Sequence, residues 1–255
     1  MADIGRRAVL AGLAAGAAVP ILGAGPARAA SWQLRWSPAA SSTGLAAFEG
    51  VEDWGLTTHG GSHIYVAGND FRFTMHKVDR EAKDDRQRSE VKGMRSGGTL
   101  LTVKNGQTWR WNYQMWIPGT LKATTSFTHI FQTKMPGTGT LPLTVMSLRH
   151  TNGVPKIEFK IYGPDITVGS VNLAPLQNKW IDVEIEQKIG NGSAGKVRWA
   201  LRDAGATVVD ATKTGDTYLD DVVRPKWGIY RSVSDTAHLA DTYLLLRNMK
   251  AYQYA

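Results

Sequence analysis

No cysteine occurs in the 255 residues. Disulfides and thiolate metal centres are therefore excluded, and packing alone must hold the fold. No tract of like charge occurs either. The 30 Lys and Arg and 22 Asp and Glu are interspersed, so neither nucleic acid nor a membrane is expected as a partner. Beyond the first thirty residues no apolar run is long enough to cross a bilayer. No segment sustains a helical period, and there is no internal repeat.

What is present begins with Arg6-Arg7, an apolar stretch from Ala8 to Ala24, and the small-x-small sequence Ala27-Arg28-Ala29. This reads as a twin-arginine-type export signal cut after Ala29, and implies a secreted, extracellular protein. Residues 30–255 then suit one all-β domain, large enough to bury a core without staples. The formal net charge is +8; the leader holds three Arg and one Asp, which leaves 27 basic against 21 acidic residues, or +6. A basic secreted protein prefers anionic partners, here an acidic polysaccharide. The chain is expected to act as a monomer.

Period-2 alternation marks strands at 109–117, 127–134, 143–149, 156–162, 180–187, 197–202, 226–232 and 243–252. Turn pairs such as Pro118-Gly119, Asn152-Gly153 and Ala204-Gly205 separate them. Many strands with one polar face and short turns point to a β-jelly roll, a sandwich of two antiparallel sheets.

Two strands carry unusual faces. Lys226, Gly228, Tyr230 and Ser232 alternate with Trp227, Ile229 and Arg231. The first row has little to bury, and Gly228 leaves room for a ligand near the backbone. Arg86, Arg88, Glu90 and Lys92 share one face of a second strand. Together they describe a basic groove around one phenol. Arg88-Ser89-Glu90 and Lys226-Trp227-Gly228-Ile229-Tyr230 resemble two signatures of the jelly-roll polysaccharide lyases, whose glucuronan, alginate and heparin lyases share variants of them. A third signature in that family is Gln-x-His. Here Thr128-His129-Ile130-Phe131-Gln132-Thr133-Lys134 stands instead. Alternation favours Gln132 and Lys134 on the groove face, with His129 between Phe127 and Phe131 as a core histidine; the other register makes His129 the catalytic imidazole.

The resemblance implies β-elimination on a 1,4-linked uronate polymer. The C5 proton leaves, the C4–O bond breaks, and a C4=C5 double bond forms. The substrate carboxylate must be neutralised, for which Arg88 and Gln132 are suited. Tyr230 is the base, the acid or both, provided cationic neighbours lower its ordinary pKa of about 10. Lys226, Lys134, Glu90, Arg86, Arg149 and Arg231 are expected to bind the polymer, Arg231 despite its opposite parity. Glucuronan ranks first because Gln-x-His is missing, then alginate and heparin-like chains. No cofactor is required; a structural calcium, as in some relatives, is compatible. His59 and His63 have metal-like spacing, but no third ligand is identifiable in the sequence, so no metal site is assigned.

Two other classes fit parts of the pattern. Asp182, Glu184 and Glu186 alternate on one strand face, roughly 7 Å apart, as in jelly-roll glycoside hydrolases. A solvated outer face is the favoured explanation, because the opposite row, Ile181, Val183 and Ile185, faces the core and an acidic trio fits poorly with an acidic polymer. A non-catalytic carbohydrate-binding module is the third reading.

Overall fold

Residues 30–54, 61–81, 83–137 and 139–255 are described by the computed structural model of the chain. The export-signal reading and His59 lie outside them. Among the described residues seventeen strands follow in order: β1 (Trp32–Trp36), β2 (Gly50–Asp53), β3 (Ile64–Ala67), β4 (Asp70–Met75), β5 (Arg86–Lys92), β6 (Met94–Ser96), β7 (Thr99–Leu101), β8 (Thr108–Trp116) and β9 (Thr128–Lys134). Then come β10 (Pro142–Thr151), β11 (Val154–Ile161), β12 (Ile166–Asn172), β13 (Trp180–Lys188), β14 (Lys196–Asp203), β15 (Ala206–Thr214), β16 (Arg224–Ser232) and β17 (Thr242–Tyr254).

Two large antiparallel sheets result, and β6 and β7 pair as a separate two-stranded one. The front sheet runs β12-β11-β10-β9-β16-β5-β2; the back sheet runs β15-β14-β13-β8-β17-β4-β3, with β1 paired to β17. Their inner rows make the core. The back sheet supplies Trp109, Trp111, Tyr113 and Met115 from β8 and Ile181, Val183 and Ile185 from β13. The front sheet answers with Phe131, Met146, Phe159, Trp227 and Ile229. Phe131 touches Trp111 at 6.0 Å, Trp227 at 5.8 Å and Phe159 at 6.2 Å between ring centroids, joining the sheets. Each such side chain contributes about 1.5–3 kcal/mol on burial. At the β10–β11 hairpin Asn152 (φ 51°) and Gly153 (φ 78°) take the left-handed conformations a two-residue turn requires.

Trp180 stands on the outer face of the back sheet. There it meets Trp116 at 5.8 Å, and the Arg247 guanidinium lies 3.7 Å from its ring centre. Strands with weak alternation, such as β12 and β15, were not evident from the sequence; β15 is a mostly exposed edge strand. It buries neither face fully, so nothing imposes a clean period on it.

The decisive local feature is a slip in β9. Against β10, Gln132 pairs with Val145 and Phe131 with Met146, but His129 pairs with Ser147, so β9 carries one extra residue, Ile130. Against β16, Gln132 faces Lys226, Phe131 faces Trp227 and His129 faces Tyr230. A bulge of this kind resets side-chain parity. Ile130 and Phe131 both enter the core. His129 and Gln132 therefore emerge on the same outer face, and the two registers considered above are not exclusive. Thr128 is buried and meets Thr124 at 3.0 Å.

Candidate active site

The outer face of β5, β16 and β9 forms the floor of a cleft of about 510 Å³. Arg86 and Arg88 come from β5, Lys226 and Tyr230 from β16, and His129, Gln132 and Lys134 from β9. Glu52 and Trp54 line it from the β2 side, and Glu81 and Lys83 from the β4–β5 connection. Phe127, Leu141 and Tyr162 add apolar surface.

Gly228 does not open space for a ligand. Its φ is 135°, and a Cβ there would sit 2.1 Å from the Ser89 carbonyl oxygen and 2.9 Å from Phe73. The neighbouring strand and the core use the room. Glycine is needed so that β16 can press against β5.

Beneath the floor lies Glu90, 1 % exposed. Its carboxylate accepts from Arg88 Nη1 (2.6 Å), Lys226 Nζ (2.8 Å) and Gln132 Nε2 (2.7 Å). Burial works against its charge, but Lys226 and Arg88 outweigh burial and hold its pKa below the ordinary value. Glu52 is a second hub, accepting from Lys226 (2.6 Å), Lys92 (2.9 Å) and Arg88 (3.4 Å). Burial opposes its ionisation too, yet those cations bring its pKa down to about 2. Arg88 also meets Glu81 at 2.9 Å. Its guanidinium is thus bound by three carboxylates and lies 3.8 Å from the Tyr230 ring centre. Lys134 is different. It makes no ion pair with any described residue, and burial together with Lys226 and Arg88 lowers its pKa. Surplus positive potential collects at its end of the cleft.

Tyr230 and His129 stand side by side in the cleft. Their rings are 5.9 Å apart, and Phe127 packs 5.0 Å from each. Arg86 Nη1 donates to the Tyr230 hydroxyl at 2.8 Å. The expectation that cations lower the Tyr230 pKa is not met in this cleft. Burial outweighs Arg88 and Arg86, and the phenol is pushed up from 10.0. His129 moves the other way: burial first, then Arg149, Arg88 and Lys226, bring it down to about 4 despite Glu90. Its Nδ1 contacts Ser147 Oγ at 2.6 Å, and Nε2 makes no hydrogen bond to a described residue. Near neutrality the pair is a neutral imidazole beside a protonated phenol. The first can accept a proton and the second can donate one.

Arg231 is corrected outright. It is fully buried on the core face, donates from Nε to Gln87 (2.6 Å) and from Nη2 to the Ala240 carbonyl (3.0 Å), and cannot reach a polymer. Burial lowers its pKa to about 10. Glu90 does not line the cleft; it positions Arg88, Lys226 and Gln132. Arg149 also stays outside the lining and acts on His129 through its charge alone. Glu52, Glu81, Trp54 and Phe127 were missed. They come from short or irregular segments whose place beside β5 and β9 no local pattern reveals.

The rival trio lies on the back sheet, facing away from the core. Asp182 accepts from Gln114 (2.8 Å), Glu186 from Arg110 (2.9 Å), and Glu184 pairs with Arg198. Each carboxylate is neutralised or satisfied by a cross-strand partner, as on a solvated face.

No protein-family model matches the sequence, and no curated protein matches it at the sequence level. Solved structures do. The alginate lyase Aly36B superposes with a TM-score of 0.55 at 16% identity, over 84% of this chain and 91% of that one. A variant of that lyase in complex with alginate trisaccharide gives 0.56 at 15% identity, over 87% and 97%. The endo-β-1,4-glucuronan lyase from the fungus Trichoderma reesei gives 0.49 at 15% identity, over 80% and 90%. The chain has the jelly-roll fold of Aly36B.

Proposed function

We propose that the chain is a secreted polysaccharide lyase that cuts a 1,4-linked uronate polymer by β-elimination. The observation that carries this reading is the pairing of a neutral imidazole, His129, with a protonated phenol, Tyr230, on the floor of a cation-rich cleft. His129 Nε2 takes the C5 proton. The electrons move toward the carboxylate-stabilised enolate and expel the C4 oxygen, which Tyr230 protonates. The product carries a C4=C5 double bond at its new non-reducing end. Lys134, with Arg88 and the second N–H of Gln132, neutralises the substrate carboxylate; Lys226 and Arg86 complete the anion-binding floor.

Glucuronan ranked above alginate only because Gln-x-His was missing. With His129 beside Gln132 through the bulge, that reason falls away. The two polymers stand level, with heparin-like chains next. The test is ultraviolet absorbance of the unsaturated uronate after mixing the protein with glucuronan, alginate and heparin separately. A rise with one polymer supports elimination and names the substrate. New reducing ends without a rise would sink the proposal in favour of hydrolysis. Binding of a polymer with neither signal would favour a carbohydrate-binding module.

A further inference from the structure

A second cluster lies outside the cleft lining, at the open end of the β3–β4 hairpin. His63 immediately precedes β3, His76 immediately follows β4, and the hairpin register brings them together. Asp79 follows in the next turn, its Oδ2 accepting from the His76 backbone N–H at 2.7 Å. His63 Nε2 and His76 Nδ1 are 3.2 Å apart, and Asp79 Oδ2 lies 3.6 Å from the first and 3.4 Å from the second. An ion held tetrahedrally at about 2.0–2.1 Å from each ligand needs them about 3.3–3.4 Å apart. The three atoms already stand at that spacing around a common point.

The surroundings are arranged to aim these atoms. Asp53, at the end of β2, accepts the His63 backbone N–H through Oδ2 (2.6 Å) and sets Oδ1 3.0 Å from His63 Nδ1. The imidazole is thereby oriented with Nε2 toward the other two ligands, as carboxylates orient metal-binding histidines. Gln87 Nε2 donates to the carbonyls of His76 (3.0 Å), Lys77 (2.9 Å) and Asp79 (2.7 Å), which fixes the ligand turn. Arg231 fixes Gln87 in turn. This gives the buried arginine a positioning role in place of the polymer contact expected from the sequence. His63 and Asp79 are each 3 % exposed.

We propose that His63, His76 and Asp79 bind one zinc-like divalent transition ion. Two imidazoles and one carboxylate are a donor set for zinc. Calcium takes six to eight oxygens, which this set does not offer. The ion clamps the turn after β4 to the start of β3, and through Asp53 to the end of β2. Glu52 and Glu81 of the cleft wall lie one and two residues from Asp53 and Asp79, so the clamp supports the cleft from behind. The inference stands apart from the reading of the cleft as a lyase site.

The test uses the full chain, free of any histidine tag, stripped with a chelator and dialysed. It is titrated with Zn²⁺ by calorimetry and with Co²⁺ by visible absorption. One equivalent of ion, intense tetrahedral Co²⁺ bands and a Tm raised by Zn²⁺ are expected. His76→Ala abolishes all three, and Asp53→Asn weakens Zn²⁺ about 10–100-fold. His150→Ala, on β10 with its ring 4.9 Å from that of His238, leaves them unchanged. Should His76→Ala misfold, Asp79→Asn with a retained far-ultraviolet spectrum replaces it. Absence of stoichiometric uptake by the parent, or uptake undiminished in His76→Ala or Asp79→Asn, would overturn the proposal and leave a hydrogen-bonded His–His–Asp cluster.

Discussion

The outer faces of the two sheets carry the same alternating charge in sequence and behave differently in space. On the back sheet, Glu186 faces Arg110 and Asp182 faces Gln114, each satisfied by its cross-strand neighbour at the partly exposed surface. On the front sheet, Glu90 and Glu52 are shared hubs, each gripped by several cations, and Glu90 is almost wholly buried. Walls make the difference. Phe127, Leu141, Tyr162 and Trp54 rise around the front face and take its charges out of bulk water. Desolvation then raises Tyr230, lowers His129 and Lys134, and makes every remaining charge interaction stronger. A row of charges is a surface until something encloses it; then it is a site.

This contrast breaks most sharply under paired substitutions. Tyr230→Phe is expected to lower turnover about 10²–10⁴-fold, the usual worth of a positioned acid or base, with polymer binding nearly intact. Glu184→Gln should leave turnover within about twofold, because surface substitutions away from a site rarely matter. Rates of unsaturated-product formation for the two variants decide between the faces; equal losses would dissolve the distinction.

Stability should separate the faces next. Glu90→Gln leaves Arg88 and Lys226 buried with less compensation and is expected to cost about 3–5 kcal/mol. Glu186→Gln removes one partner of a partly exposed pair and should cost under about 1 kcal/mol. Urea unfolding midpoints of the two variants measure both.

The smallest effect concerns pH. His129 has a folded pKa of about 4 against an ordinary 6.5. A depressed histidine favours the folded state above 6.5, and that contribution is lost as pH falls toward 4. Its size is on the order of 1–3 kcal/mol. Glu52, depressed from 4.5 to about 2, gives way in a lower window, between those two values. Urea midpoints followed from pH 7 downward should fall in the first window for the parent and more gently for His129→Gln. An identical slope in both would place the histidine in ordinary solvent, like a residue of the back sheet.

Much of this molecule was legible in its residues. Clean alternation placed β8, β13, β16 and β17 to within a residue or two, because a strand with one face in the core must repeat every second residue. The faces of β5 and β16 were legible for the same reason, and with them Tyr230, Arg88 and Lys226. The rule also held where a polar residue stood in a core row, and the polymer contact expected of Arg231 against its parity was the error. Arg231 shares parity with Trp227 and Ile229 and follows it into the core, where Nε donates to Gln87 and Nη2 to the Ala240 carbonyl while Nη1 has no hydrogen-bond partner among the described residues.

The sequence by itself determined the sheet class, the cleft strands and the identity of the phenol, since these follow from period and residue type along one strand. Tertiary structure alone decided that His129 and Gln132 share a face, that Glu52 and Glu81 join the cleft, and that His63, His76 and Asp79 converge. A bulge is defined only against the strands it pairs with, and a cluster only by the distance between segments far apart in the chain. Neither quantity exists until the sheets have formed.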